Sequence, residues 1–277
     1  MLIFKRTWSA AVGFLLLTGW SGICIAAPTD FDNQLELDVK YYHFDQQVNW
    51  GKGMEDMEDS NSGRLDGIHI AYKSQNLDGG SYWRLAYDQT HHDTRHLRTN
   101  QDIVIVDSVE GNRIYNLEFV YANPLSGFED IYIYLGIGAH YWARELPASQ
   151  KEEYGWLYIP FGLRFEQSFG ENLRVAMELT FQYKGAGRAR KRVSGYEPIE
   201  VDLGNKPGYR IEIPFTYQIS PRWAIAMTPW GDYSAIGESE VGSATQENGG
   251  VKNTTDFKVL DSTTEQYGID IGFRVFF

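Results

Sequence analysis

The chain of 277 residues carries one cysteine, Cys24, and that one lies in an N-terminal stretch that reads as a leader. A processed chain without cysteine has no disulfide, no zinc-thiolate centre and no thiol nucleophile. Ile23, rather than a small residue, precedes Cys24, which excludes lipidation at a lipoprotein signal. Long apolar runs are missing too: after residue 28 none approaches the ~20 residues that a spanning helix needs. Positive charge is scarce, with 25 Lys+Arg against 37 Asp+Glu and a formal net charge of −12. Two of those bases, Lys5 and Arg6, belong to the leader, so no basic face remains for nucleic acid. What the chain does have is aromatic residues, 15% of the total, and 28 glycines. Side chains of that kind bury a large surface, which excludes wholesale disorder.

Residues 1–27 have the parts of a secretory signal peptide. Lys5 and Arg6 supply the charged start, Ala10 to Thr18 the apolar stretch, and Ala26 and Ala27 the small residues of a cleavage site. Pro28-Thr29-Asp30 ends the stretch before it is long enough to anchor in a bilayer. Residues 28–277 show no linker, repeat or composition break and read as one domain.

From Gln34 onward the dominant period is two. Leu35-Glu36-Leu37-Asp38-Val39-Lys40-Tyr41 alternates strictly, and so do Leu173 to Tyr183 and Tyr209 to Ile219. Only a pleated strand puts every second residue on one face. Ten such segments can be drawn, at about 34–48, 64–75, 81–90, 108–123, 130–145, 155–168, 172–187, 208–219, 222–236 and 263–277. Short turns rich in Gly, Pro and Asn (around 76–80, 123–127, 169–172 and 220–222) alternate with long polar stretches near 49–63, 91–107, 146–154, 188–207 and 237–262. Several segments alternate for ten or more residues, against ~5–6 in soluble strands and ~9–11 in a tilted membrane strand. Aromatics sit near segment ends, at Tyr41, Trp83, Tyr87, Tyr121, Tyr141, Tyr183, Tyr209 and Trp223. The fold class expected is therefore all-β: an up-and-down antiparallel transmembrane β-barrel of about ten strands, with both termini periplasmic and the long loops outside the cell.

The last segment carries a resemblance. Tyr267, Ile269, Ile271, Phe273, Val275 and Phe277 form an alternating apolar row that ends in a terminal Phe. It is similar to the C-terminal signature of Gram-negative outer-membrane β-barrel proteins. That resemblance implies export to the cell outer membrane, cleavage near Ala26 or Ala27, and reading of the row by the barrel-assembly machinery.

Placing the polar side of each strand inside gives a lumen of balanced charge. Acids such as Glu36, Asp38, Asp88 and Glu178 face bases such as Lys40, Arg84, Arg164 and Arg274, with Tyr132, Tyr134, Trp142 and Trp156 as filling. Barrels of about eight strands are filled by side chains, whereas porins need ~16–18. A plugged barrel is expected. Gly136 and Gly138 are expected to make room for bulky lumen neighbours, and Pro160, Pro214 and Pro229 to produce bulges or kinks.

Chemistry-bearing clusters are few. The basic run Lys184, Arg188, Arg190, Lys191 and Arg192 suits phosphate or carboxylate oxygens such as those of lipopolysaccharide, or else pairs with the acidic loop Glu55 to Asp59. That loop lacks the Asp-x-Asp-x-Asp-Gly spacing of a calcium site. His91, His92, Asp93 and His96 match no defensible metal spacing, so neither metal nor cofactor is expected. Strand number resembles that of the omptin proteases, in which an acidic pair faces an Asp–His pair across the mouth. Asp88 with His91 or His92 imitates one half, but 188–207 contains no His. His43, the outward candidate for a lipid-A esterase, has no Ser partner. The expected function is structural or adhesin-like and non-enzymatic, carried by the loops, with outer-membrane lipids including lipopolysaccharide as partners. The alternatives are a narrow channel for small solutes, and an omptin-like protease or lipid-A-modifying enzyme.

Overall fold

A computed structural model describes residues 33–51, 57–76, 80–101, 103–147, 150–248 and 251–277. The leader, Glu55, Asp56 and residues 77–79 of the first short turn lie outside the described residues. Fourteen strands follow one another: β1 (Asn33–Val48), β2 (Met57–Gln75), β3 (Tyr82–Asn100), β4 (Ile103–Leu125), β5 (Phe128–Leu146), β6 (Gln150–Phe169), β7 (Leu173–Arg192), β8 (Ile199–Asp202), β9 (Gly208–Glu212), β10 (Phe215–Ser220), β11 (Trp223–Ile236), β12 (Gly242–Asn248), β13 (Val251–Phe257) and β14 (Ser262–Phe276). Ten staves make a closed antiparallel barrel: β1 to β7, then β9 and β10 as one interrupted stave, then β11 and β14. Closure is by β14 on β1, from Gln34↔Phe276 to Val48↔Ser262. At that seam Asn33 and Phe277 exchange backbone bonds of 3.2 and 3.0 Å.

The alternation that predicts these strands also sets their faces. Leu37, Val39, Ile133, Leu135, Ile137, Ile271 and Phe273 are exposed on the outside, and Glu36, Asp38, Lys40, Asp270 and Arg274 are buried inside. The outer apolar belt is edged by two aromatic bands. Near the short turns Tyr72 lies against Trp83 at 5.1 Å and Phe277 at 6.2 Å between ring centroids. Toward the long loops, Tyr115 meets Tyr141 at 6.0 Å and Tyr209 meets Tyr233 at 6.3 Å. This is the girdle pattern of a barrel that stands across a bilayer. Both ends of the described chain lie on the short-turn rim.

The staves run further than the alternation does. Of the stretches expected as loops, residues 57–63 and most of 91–107 are strand: β2 pairs with β3 up to Met57↔Asn100, and β3 with β4 up to Asn100↔Ile103. Beyond the girdle the outer face meets water instead of lipid, so nothing enforces an apolar outside, yet the backbone ladder continues and polar residues such as Asn61, Thr94 and Glu110 are buried inside. The stretches 188–207 and 237–262 likewise contain β8 and the β12–β13 hairpin.

The prolines act unequally. Pro214 interrupts the eighth stave, and its carbonyl accepts from Ala176 N–H at 2.8 Å. Pro160 leaves the β5–β6 and β6–β7 registers unchanged, and Pro229 sits in an unbroken β11–β14 ladder. The expected bulge falls elsewhere, between Gly155 and Leu157 opposite Gly185–Arg188. Ala186 takes a positive φ of 50° there. The glycine expectation holds at Gly138, where a Cβ would overlap the Tyr158 ring, but not at Gly136, where a Cβ would meet the backbone of Phe119 and Val120 on β4; Gly162, not expected, leaves room for Tyr134.

Gly138→Ala should therefore overpack the lumen, at a cost of about 1–3 kcal/mol. In a Tyr158→Ala background the same change should be nearly neutral, because the clash is gone. The temperature at which the compact, heat-modifiable gel form is lost checks both.

Candidate functional site

The inward side chains fill the barrel in four layers. Nearest the short-turn rim is a network of ion pairs. Arg274 Nη1 donates to Asp38 Oδ1 at 2.5 Å, and its Nε lies 3.2 Å from Glu36 Oε2. Arg164 spans Glu166 at 2.6 Å and Glu178 at 2.9 Å, and Arg84 reaches Glu118 and Glu178 at 3.4 and 3.3 Å. Lys40 Nζ bonds Asp88 Oδ1 at 2.8 Å and lies 3.2 Å from Asp270 Oδ2, while His69 Nδ1 also sits 2.8 Å from Asp88 Oδ1. A cavity of about 80 Å³ remains among these groups. Charges removed from water are tolerated only when paired in this way.

Above it, Tyr42, His140, Trp156, Tyr158 and Trp230 wall a second cavity of about 60 Å³. Asp88, Tyr158 and Arg210 line both chambers. Each chamber has room for several bridging waters among its polar lining groups. The third layer is apolar: Phe44, Leu65, Ile114, Trp142, Tyr154 and Ile236 pack with Ile199, Val201, Leu203, Phe257 and Val259 from the long loops. These loops therefore close the upper lumen.

The fourth layer lies beyond the girdle, within the raised part of the sheet. His96 Nε2 is 2.7 Å from Asp59 Oδ1, and its Nδ1 is 2.8 Å from Glu110 Oε1, the latter off the hydrogen-bonding line. With a carboxylate on each nitrogen, the ring is held as the doubly protonated imidazolium. The Asp59 bond first, then Glu110, pushes its pKa up to about 9. Burial opposes ionisation of Glu110, but His96 and Arg144, whose Nη2 is 2.6 Å away, outweigh it and hold the carboxyl below its ordinary range. Arg98 Nη2 at 2.7 Å and His96 together do the same for Asp59 against its burial.

The basic run does not form one patch. Lys184 is buried inside the barrel, where it donates to Ser234 Oγ and the Ala235 carbonyl and lies 4.7 Å from the Trp156 ring centre. Past the bulge at Ala186 the inward parity flips: Ala189 is buried and Lys191 bonds lumen-side Glu152 at 3.0 Å. Arg188, Arg190 and Arg192 face outward as a column, each beside an acid: Asp202 at 3.5 Å, Glu200 at 3.4 Å and Glu153 at 3.2 Å. The described part of the acidic loop is engaged elsewhere, Asp59 by His96 and Arg98. The histidine cluster is dispersed as well: His91 is exposed, and His92 pairs with Asp66 at 3.1 Å on the surface, while Asp88 is buried in the lumen. His69, not singled out from the sequence, does come together with Glu36 and Asp38, their donor atoms lying within 4.8 Å of one another. Arg274 already binds both of those carboxylates. Its place opposite Asp38 in the β1–β2 register follows only from strand pairing, which no local motif reveals. All six residues of the C-terminal row lie on the outer face of β14 and its end.

Among solved structures, the outer membrane protease OmpT from Escherichia coli matches with a TM-score of 0.59 and 8% identity, over 92% of this chain and 99% of that one. The chain has the fold of a ten-stranded outer-membrane β-barrel. The barrel also matches, at lower likeness, the translocator domain of the autotransporter NalP from Neisseria meningitidis (TM-score 0.40, 8% identity, 88% of each chain). A third match is Ail, the attachment invasion locus protein of Yersinia pestis, solved with the heparin analogue sucrose octasulfate (TM-score 0.36, 9% identity, 88% of this chain and 99% of that one). No family model and no curated protein matches the sequence.

The His96 network gives the raised sheet of this barrel a pH dependence. An imidazolium whose pKa is raised in the folded state stabilises fully below pH 6.5, and its contribution is lost as pH rises to about 9. Amide exchange in Met57–Ser62 and Arg95–Asn100 should accelerate over that window in excess of the ordinary base-catalysed rise. His96→Gln should remove the excess.

Proposed function

We propose that the chain is an outer-membrane protein that acts as a rigid surface-interaction scaffold, non-catalytic and without a cofactor. In this reading it is exported by its leader, cleaved near Ala26 or Ala27, and inserted with the long-loop rim outward. The observation that carries the reading is the filled lumen, occupied by paired charges, an aromatic layer and an apolar layer joined by loop residues. With the interior committed to packing, what remains free to meet partners is the raised β2–β4 sheet and the loops. The two chambers, which share Asp88, Tyr158 and Arg210, favour a narrow water leak as the second reading. Planar bilayers separate the two. The scaffold reading expects no steady openings from the purified protein, and regular single-channel steps would replace it with the channel. Against a protease-like site stands the commitment of Asp88 to Lys40 and His69, away from His91 and His92.

The same reading includes two partners. The outward column of Arg188, Arg190 and Arg192 lies above Tyr183, where lipopolysaccharide phosphates would stand, and guanidinium forks suit phosphate oxygens. The acids beside the column neutralise part of its charge, so the expected contact is of modest strength. Replacing all three arginines by Gln should lower the lipopolysaccharide co-purifying with the barrel severalfold, while Lys184→Gln, inside the lumen, should leave it unchanged. Recognition by the barrel-assembly machinery is supported by the outward apolar row from Tyr267 to Phe277.

A further inference from the structure

The barrel has a stepped rim. β5 leaves β4 at the Gly111↔Glu145 pair and ends at Leu146, and β6 begins at Gln150. β4 nevertheless stays bonded to β3 out to Asn100↔Ile103. Its other edge, from Ile103 to Glu110, therefore carries no backbone partner among the described residues. On the far side of the same sheet, β1 covers β2 up to Val48↔Asp59. The open edge is one-sided.

Its composition sets it apart from the rest of the raised rim. The segment reads Ile103-Val104-Ile105-Val106-Asp107-Ser108-Val109. Ile103 is 70% exposed, Ile105 53% and Val109 66%, as high as or higher than residues of the lipid-facing belt. These residues lie six to twelve positions past Tyr115 of the upper girdle, about 20–40 Å along the strand at ~3.3 Å per residue. Hydrocarbon does not account for them. Asp107, the one charge among them, is neutralised by two bonds of 2.8 Å from Arg95. Neither Lys nor Pro guards the segment, although these are the usual devices by which an exposed edge is blunted. β8, by contrast, presents Glu200 and Asp202.

We infer that the edge of β4 from Ile103 to Glu110 is a strand-addition site for an extended, uncharged, apolar-rich segment of another protein. The Glu110 carbonyl at the foot of the edge accepts from Asn112 Nδ2 at 3.1 Å; the row of N–H and C=O groups above it, without backbone partners on that side, is matched along its length only by a second extended backbone. Apolar side chains on both faces of the tip select β-branched or other apolar neighbours on the added strand. No described segment of this chain reaches the edge: the β5–β6 connection is too short, and Asn33 starts from the opposite rim. A second copy in the same membrane fits poorly. Barrel strands tilt by ~35–45°, so edges related by an axis along the membrane normal would cross at about twice that angle. The inference rests on the surface-scaffold reading and names its partner class.

Hydrogen–deuterium exchange on the full-length processed protein in nanodiscs tests it. The probe is a synthetic peptide of four Thr-Val repeats between terminal lysines. With peptide at saturation, amides in Ile103–Glu110 should slow by about tenfold or more while the lipid-facing staves stay unchanged. The double variant Ile105→Lys/Val109→Lys, which alters only outward side chains, should keep heat-modifiable mobility and lose that slowing. A peptide with Pro at alternate positions should not protect. Absence of slowing overturns the inference, as does equal slowing by the Pro peptide. So does protection without peptide of the amides in this segment that do not bond β3, which means that the chain itself covers the edge, or a second copy does if it grows with protein concentration. Bilayer conductance decides the scaffold reading separately, so a silent barrel with an unresponsive edge would defeat the strand-addition site alone.

Discussion

The backbone cannot leave a polar group unpaired in hydrocarbon, and everything else in this molecule follows from how that demand is met. Ten staves bond edge to edge until β14 returns to β1, and the Asn33–Phe277 bonds finish the seam. A sheet closed in this way has no edge in the membrane. It also has an inside whose size is fixed by strand number, and at ten strands that inside is too narrow for bulk water and too wide to stay empty. The side chains must then fill it. Since the outer face is claimed by lipid, the polar members of the alternating pairs do the filling. Charges such as Lys40, Asp88 and Asp270 become buried through topology rather than preference, and each is neutralised by another stave.

The alternation made the fold class and the identity of the inward residues readable without a structure, because two solvents of opposite character act on successive residues. The same logic shows where reading fails. Lys184 shares the inward parity of Glu178, Thr180 and Gln182, yet its neighbours in sequence suggest a basic surface run. Parity decides, since a strand segregates neighbours to opposite faces. Two residues later the bulge at Ala186 reverses parity, which turns Arg188, Arg190 and Arg192 outward and Lys191 inward. The only sequence trace of that reversal is Gly185-Ala186-Gly187. Register across the lumen, which brings His69 beside Asp38 and Asp88, leaves no local trace.

Past the girdle the signal fades for a different reason. There the outer face of His91 to Asn100 meets water and the inner face packs polar groups such as Thr94 and His96, so polarity no longer alternates although the ladder with β4 persists. Stability in this region has to come from something other than the hydrophobic division. Part of it is the Asp59–His96–Glu110–Arg144 chain, in which a charged imidazole joins β2, β3 and β4 and an arginine carries the contact on to β5. Sequence alone presents His96 as one of several loop histidines, because its carboxylate partners lie more than ten residues away in either direction.

These two regimes divide the molecule's possible work. In the membrane, every layer of the lumen is interlocked: Gly138 yields its volume to Tyr158, Trp230 donates to Asp270, and Lys40 holds Asp88 and Asp270 together. A ligand entering there would have to break paired charges at a cost of several kcal/mol each. Above the membrane, the height of β2 to β4 relative to β5 exposes backbone that water can satisfy but another strand satisfies equally well. The edge prohibited in hydrocarbon is permitted there, and it appears where the staves outrun their neighbours. A barrel packed inside and stepped at its rim thus leaves, among the described residues, a stretch of strand edge without a backbone partner where an external chain can meet it.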